Sequence, residues 1–186
     1  LEEFDPDGRS TPGAIISLLR DASGTRPLET STENQLFHHV IGNNKAAVKA
    51  AGEEAVRRGY AVELEANQQL EGTAEEVGVR LSGWLGSLPA DQQPRCLVSG
   101  GEPVVQLVDP EHRGRGGRNQ QLVLAALVDQ LAQGARLEDA VILSAGTDGE
   151  DGPTDAAGAW IDQSRVEQVL QQDRDARDFL ARNDAY

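Results

Sequence analysis

Short apolar runs alternate with stretches of helical periodicity through most of this chain, and that alternation restricts the fold more than any other feature. Residues 37–41, 60–64, 95–99, 104–108 and 140–145 read as strands, with 159–162 as a short sixth. Between them, 45–58, 71–88 and 119–132 place apolar side chains at helical spacing; Val77, Leu81, Trp84, Leu85 and Leu88 form one such face. Further helices are expected from Ser164, read as a cap, to Gln172, and over 175–182. Strands separated by helices imply an α/β fold with a mostly parallel sheet flanked by helices. The runs 95–99 and 104–108 lie so close in sequence that they predict an antiparallel hairpin, which makes the expected sheet mixed. Residues 1–35 are polar, hold one short helix starting at Thr11-Pro12, and read as an arm or linker; 36–186 read as the α/β domain.

Charge narrows the partners. Against 17 basic residues stand 31 acidic ones, for a net charge of -14 over 186 residues. Such a surface disfavours nucleic acid and anionic membranes, and no apolar run approaches the ~20 residues of a membrane helix. The single cysteine, Cys96, lies in a strand-like run and reads as a small core residue rather than a nucleophile. A cytoplasmic location is the matching expectation. The sequence starts without Met and contains none, so it reads as a piece of a longer chain.

Chemistry concentrates where strands end. The run 140–143 gives way to a segment with four carboxylates, Asp148, Glu150, Asp151 and Asp155, among glycines, a proline and the threonines Thr147 and Thr154. That composition breaks both helix and strand. It reads as a loop at the end of a core strand, where open α/β sheets place binding sites, or as a solvated acidic turn. Ser99-Gly100-Gly101-Glu102 follows another strand; its glycines admit close backbone approach, and an ordinary turn with a solvated Glu102 is the competing reading. Arg113, Arg115 and Arg118 sit among Gly114, Gly116 and Gly117 just before a helix. A helix start with free N–H groups and nearby guanidinium groups suits an anion, although the same loop could be a connector whose arginines pair with acids. Its spacing fits neither a P-loop nor a dinucleotide fingerprint. Asn43-Asn44 caps the next helix and can face a ligand. In a parallel arrangement all these segments gather on one edge.

Five strings in order carry a family resemblance: Ile41-Gly42-Asn43-Asn44, Val98-Ser99-Gly100-Gly101-Glu102, Gly116-Gly117-Arg118-Asn119-Gln120, Ser144-Ala145-Gly146-Thr147-Asp148-Gly149 and Asp151-Gly152-Pro153-Thr154-Asp155-Ala156-Ala157-Gly158. Together with Asn183-Asp184-Ala185-Tyr186 they resemble the C-terminal half of the class II glycerate 2-kinases, including the MOFRL domain, over residues 36–186. Gln121 stands where that family usually has Glu, and Ala185 where it usually has Ser.

The resemblance implies ATP-dependent phosphorylation of D-glycerate to 2-phosphoglycerate in a cleft between two α/β domains. It implies Arg118 as the catalytic residue, neutralising the transferring phosphoryl group or holding the glycerate carboxylate. Asn119 would orient a hydroxyl or phosphate oxygen. Asp148 and Asp151 would bind substrate hydroxyls or the Mg2+ that travels with ATP. Asn43, Asn44, Ser99, Gly100, Gly101, Glu102, Gly117, Thr147, Thr154 and Asp155 complete the expected substrate- or nucleotide-binding set. The expected partners are glycerate, ATP and the N-terminal domain of the same polypeptide, with a homodimer as a further assembly. That domain, with a lysine and an aspartate thought to act in transfer, is not in this sequence, so these residues alone are expected to show little or no activity. The alternatives are an NAD(P)H-dependent hydroxypyruvate reductase, for which no dinucleotide fingerprint is visible, and a noncatalytic sugar-acid-binding module.

Overall fold

The computed structural model describes residues 12–21, 39–66, 72–89, 93–134, 137–172 and 175–186. Two compact units divide the chain, Leu1–Ile41 and Gly42–Tyr186. In the first, helix α1 spans Gly13–Asp21, and the Pro12 carbonyl accepts from the Ile15 and Ile16 amides at 2.9 and 3.2 Å. The strand expected over 37–41 is not formed at residues 39–41, which find no ladder partner; residues 37 and 38 lie outside the described residues.

The second unit opens with α2, Asn44–Arg57. Asn43 starts it, its Oδ1 accepting from the Ala46 amide at 2.9 Å, and Gly59 ends it in the left-handed region at φ 93°. Strand β1 (Ala61–Ala66), helix α3 (Ala74–Gly86) and strand β2 (Arg95–Gly100) follow as a βαβ unit. The two strands pair in parallel, Ala61 opposite Arg95 and Ala66 opposite Gly100, because a helical crossover returns the second strand in the same direction. Helix α2 packs on both strands. Helix α3 begins at Ala74 because Thr73 and Glu76 form a capping box that closes its first turn.

Residues 104–108 do not form the predicted hairpin with β2. Val104 instead bridges Thr73 in parallel: its amide donates to Gly72 O at 3.0 Å and its carbonyl accepts from Ala74 N at 2.8 Å. The loop after β2 carries the chain on to the α3 start rather than reversing it. The short connection suggested a hairpin only on the assumption that neighbouring runs pair with each other.

Helix α4, Arg118–Ala132, is the centre of the unit, packing against α3, the last two strands and the last helix. Leu122, Val123, Ala126 and Leu127 join Val77, Ile142, Ile161 and Val166 in the core. Gly78 lets α3 and α4 touch, since a Cβ there would overlap Leu122 O. Strands β3 (Ile142–Ala145) and β4 (Gly158–Ile161) pair antiparallel, with Leu143 opposite Trp160. The α/β class is as expected. Among the described residues, however, its strands form one parallel and one antiparallel pair rather than a single mixed sheet. Helices α5 (Gln163–Gln171) and α6 (Ala176–Ala181) close the unit. The α5 cap is Asp162, which accepts from Arg165 N at 3.0 Å; Ser164, the expected cap, donates its hydroxyl to Asp162 instead. No helix among the described residues is long and apolar enough to cross a membrane.

Candidate active site

The strand-end segments are tied together by side chains. Asn44 sits in the first turn of α2, and its Nδ2 donates to Gly100 O at 2.7 Å, joining that helix to the end of β2. A Cβ on Gly100 would overlap Asn44 Oδ1, so the contact depends on a missing side chain. Ser99 is half-buried within β2, and Gly101 is exposed in the loop beyond it. One residue further, Glu102 reaches Arg118: Arg118 Nη1 donates to Glu102 Oε1 at 2.8 Å. Arg118 is the first residue of α4, and both side chains remain substantially open to solvent.

Asp151 closes the other side of the same helix start. The cap residue of α4, Gly117, makes no side-chain cap bond. Asp151 supplies one from a distant loop: Oδ1 accepts from Asn119 N at 3.0 Å and Asn119 Nδ2 at 2.9 Å, and Oδ2 accepts from Gln120 N at 2.8 Å. The side chain is 2% exposed. The anion taken by these backbone N–H groups is therefore an internal carboxylate. Asn119 passes the connection on, its Oδ1 accepting from Ser144 Oγ in β3 at 2.7 Å. Thr154 Oγ1 accepts from Gln120 Nε2 at 2.9 Å and donates to Asp151 O at 2.8 Å. Thr147 and Asp148 lie exposed in the turn after β3, where Asp148 Oδ1 accepts from Glu150 N at 3.2 Å.

Asp155 meets the last residue of the unit. The Tyr186 hydroxyl donates to Asp155 Oδ1, which holds the Asp155 carboxyl below its ordinary range and lifts the Tyr186 phenol above its own. Arg115 stacks on the Tyr186 ring with its guanidinium 5.1 Å from the centroid, and its Nη2 donates to Pro153 O at 2.9 Å. Arg115 is thus engaged within the protein, unlike the ligand-facing guanidinium its sequence context suggested. Tyr186 N donates to Arg115 O and Arg115 N to Asp184 Oδ1, each at 3.0 Å. Asn183, in the left-handed region at φ 51°, accepts from Val108 N at 2.9 Å. These bracing roles of residues 183–186, and that of Ser144, were not read from the sequence. The string Asn183-Asp184-Ala185-Tyr186 was their one visible signal. Cys96 is half-buried in β2, and burial pushes its thiol up, in keeping with a packing residue.

Residues 95–186 match the model of the MOFRL family. The chain is 39% identical to the glycerate kinase of Rattus norvegicus, over 99% of this chain and 38% of that protein. It is 34% identical to the D-glycerate 2-kinase of Thermotoga maritima, over 80% of this chain and 34% of that one. The chain matches a portion of the glycerate kinase family. The crystal structure of glycerate kinase from Thermotoga maritima superposes with a TM-score of 0.66 at 33% identity, covering 80% of this chain and 35% of that one. The chain spans well under half the length of these relatives.

Within this family portion, the structure brings Asn44, Gly100, Glu102, Gly117, Arg118, Asn119, Asp151 and Thr154 into one connected set. Asn43 joins it only as the α2 cap. A Mg2+ held jointly by Asp148 and Asp151 does not fit. Mg2+ needs carboxylate oxygens facing it, and both Asp151 oxygens already accept N–H bonds. Among the described residues, no group of three or more His, Cys, Asp or Glu is placed to hold a metal ion.

Proposed function

We propose that this chain forms one wall of the active site of a glycerate kinase that transfers the γ-phosphoryl group of ATP to D-glycerate, giving 2-phosphoglycerate. The observation that carries this reading is the placement of Arg118. Its backbone starts a well-anchored helix, and its guanidinium stands open to solvent beside the β2 exit loop. A guanidinium at this place offers paired donors to a carboxylate or a phosphoryl oxygen that displaces the Glu102 carboxylate. Phosphoryl transfer depends mainly on positioning and on neutralising charge, which is what a fixed arginine supplies.

Asn44, the β2 exit loop of Ser99, Gly100, Gly101 and Glu102, and the turn of Thr147 and Asp148 would line the substrate side. Mg2+ would enter as the counter-ion of ATP. The rest of a longer polypeptide would supply the facing wall, as the small share of each relative covered here suggests.

The test uses the full-length protein with D-glycerate and MgATP, run beside hydroxypyruvate and NADH. Formation of 2-phosphoglycerate that falls on the order of 100-fold or more in Arg118→Ala is expected, the scale of losing one positioned charge donor. An Arg118→Ala enzyme of undiminished turnover, or NADH consumption in place of phosphorylation, would overturn the reading.

A further inference from the structure

We infer that Asp151 is a positioning residue for Arg118, clamping the first turn of α4 by acting as the anion that this helix end would otherwise draw from a substrate. The inference rests on the active-site reading of Arg118 given above.

A helix start leaves backbone N–H groups unpaired and carries partial positive charge. At α4 the cap position is Gly117, which has no side chain to answer them. Asp151 answers from 30 or more residues away in sequence, with three bonds of 2.8 to 3.0 Å to Asn119 and Gln120. These bonds are charge-assisted and buried, so they are strong and poorly screened.

The fit on the other side of Arg118 is equally close. A Cβ on Gly117 would overlap the Asp151 main chain and carboxylate, and one on Gly152 would overlap Gly116 O. Arg118 therefore sits between two clamped neighbours, its backbone fixed and its side chain free to reach Glu102. Ser144 anchors the clamp to β3 through Asn119, and Thr154 braces it through Gln120. A substrate anion arriving here meets the guanidinium of Arg118 and finds the Asn119 and Gln120 amides already taken.

The test is a double-mutant cycle in the full-length enzyme. Asp151→Asn keeps the shape but turns one acceptor into a donor that faces an N–H. It is expected to lower kcat/KM for D-glycerate by on the order of 10- to 100-fold, the cost of misplacing a catalytic group. In the Arg118→Ala background the same change is expected to cost less than about 3-fold, because two residues acting as a unit are not additive. Asp162→Ala removes the side-chain cap of α5; it is expected to lower the melting temperature while leaving kcat/KM of the folded enzyme unchanged.

An undiminished penalty in the Arg118→Ala background would overturn the inference. So would a shift of about 10-fold or more in the Mg2+ concentration for half-maximal rate, which would make Asp151 a metal ligand. If Asp151→Asn fails to fold, Ser144→Ala removes only the donor to Asn119 Oδ1. It is then expected to give a smaller loss, about 3- to 10-fold, again absent without Arg118; an unchanged rate overturns the inference. Amide hydrogen exchange at Asn119 and Gln120 reads the clamp without turnover, and exchange no faster in Asp151→Asn also counts against it. If Arg118→Ala alone leaves turnover intact while that exchange rises, the active-site reading fails and the clamp stands.

Discussion

Arg118 Nη1 donates to Glu102 Oε1 at 2.8 Å, joining the first residue of α4 to the loop that leaves β2. The side chains are 44% and 71% exposed, so the pair adds little to stability, under about 1 kcal/mol. Under the proposed function its consequence is competition, because a substrate anion reaching Arg118 would have to displace the Glu102 carboxylate. Glu102→Gln is expected to leave the melting temperature nearly unchanged and to lower KM for D-glycerate by about 1.5- to 5-fold. A raised KM would make Glu102 a substrate-binding group instead.

Gly117→Ala tests the close approach of the two loops. The added methyl would meet Asp151 main-chain atoms, which cannot swing aside as a flexible side chain can. A loss of about 1–3 kcal/mol is expected from chemical denaturation, the usual cost of overpacking. Turnover should fall further than stability, since the displaced residue precedes Arg118.

The Asp155–Tyr186 bond sets a pH window. Asp155 is held below its ordinary 3.8, so its contribution is present above that value and is lost as pH falls through the lowered one. Tyr186 is held above its ordinary 10.0, so its contribution is complete below that value and is lost as pH rises through the raised one. Tyr186→Phe should therefore flatten the stability profile at both extremes. Phenolate absorbance supplies a direct check: the component missing from Tyr186→Phe should titrate above pH 10.0 in the parent and move down in Asp155→Asn.

Ser82 tests the α3–α4 seam away from the site. Fully buried, it donates to Asp129 Oδ2 and accepts from Gln130 Nε2 at 2.8 Å. Ser82→Ala leaves that buried amide with only a long 3.3 Å bond to Ser82 O. A loss of about 1–3 kcal/mol is expected, read as a lower urea midpoint at unchanged slope.

Much of this architecture is written in local pattern. The periodic faces of α3 and α4, the Asn43 cap and the βαβ spacing around β1 and β2 each follow from residues close in sequence. What is not local was harder to read. The apolar run at 104–108 reads as pairing with its neighbour β2, and composition does not reveal that Val104 bridges the α3 start instead. Asp151 illustrates the same limit at the site. A carboxylate in an acidic loop reads as a ligand for cations, and only the fold shows that its counterpart is a helix end whose cap position has no side chain. Arg115 and Arg118 look alike in sequence, yet one stacks on a tyrosine at the far end of the unit and the other reaches Glu102.

Tyr186 fastens two loops at once: its amide holds the glycine-rich one through Arg115 O, and its hydroxyl holds the acidic one through Asp155. For protein engineering, that makes residues 183–186 a poor place to trim or to splice. A rigid fusion joint there would unbuckle both flanks of the proposed substrate edge while the distant hydrophobic interior stayed intact, giving a preparation that looks well folded and would work badly.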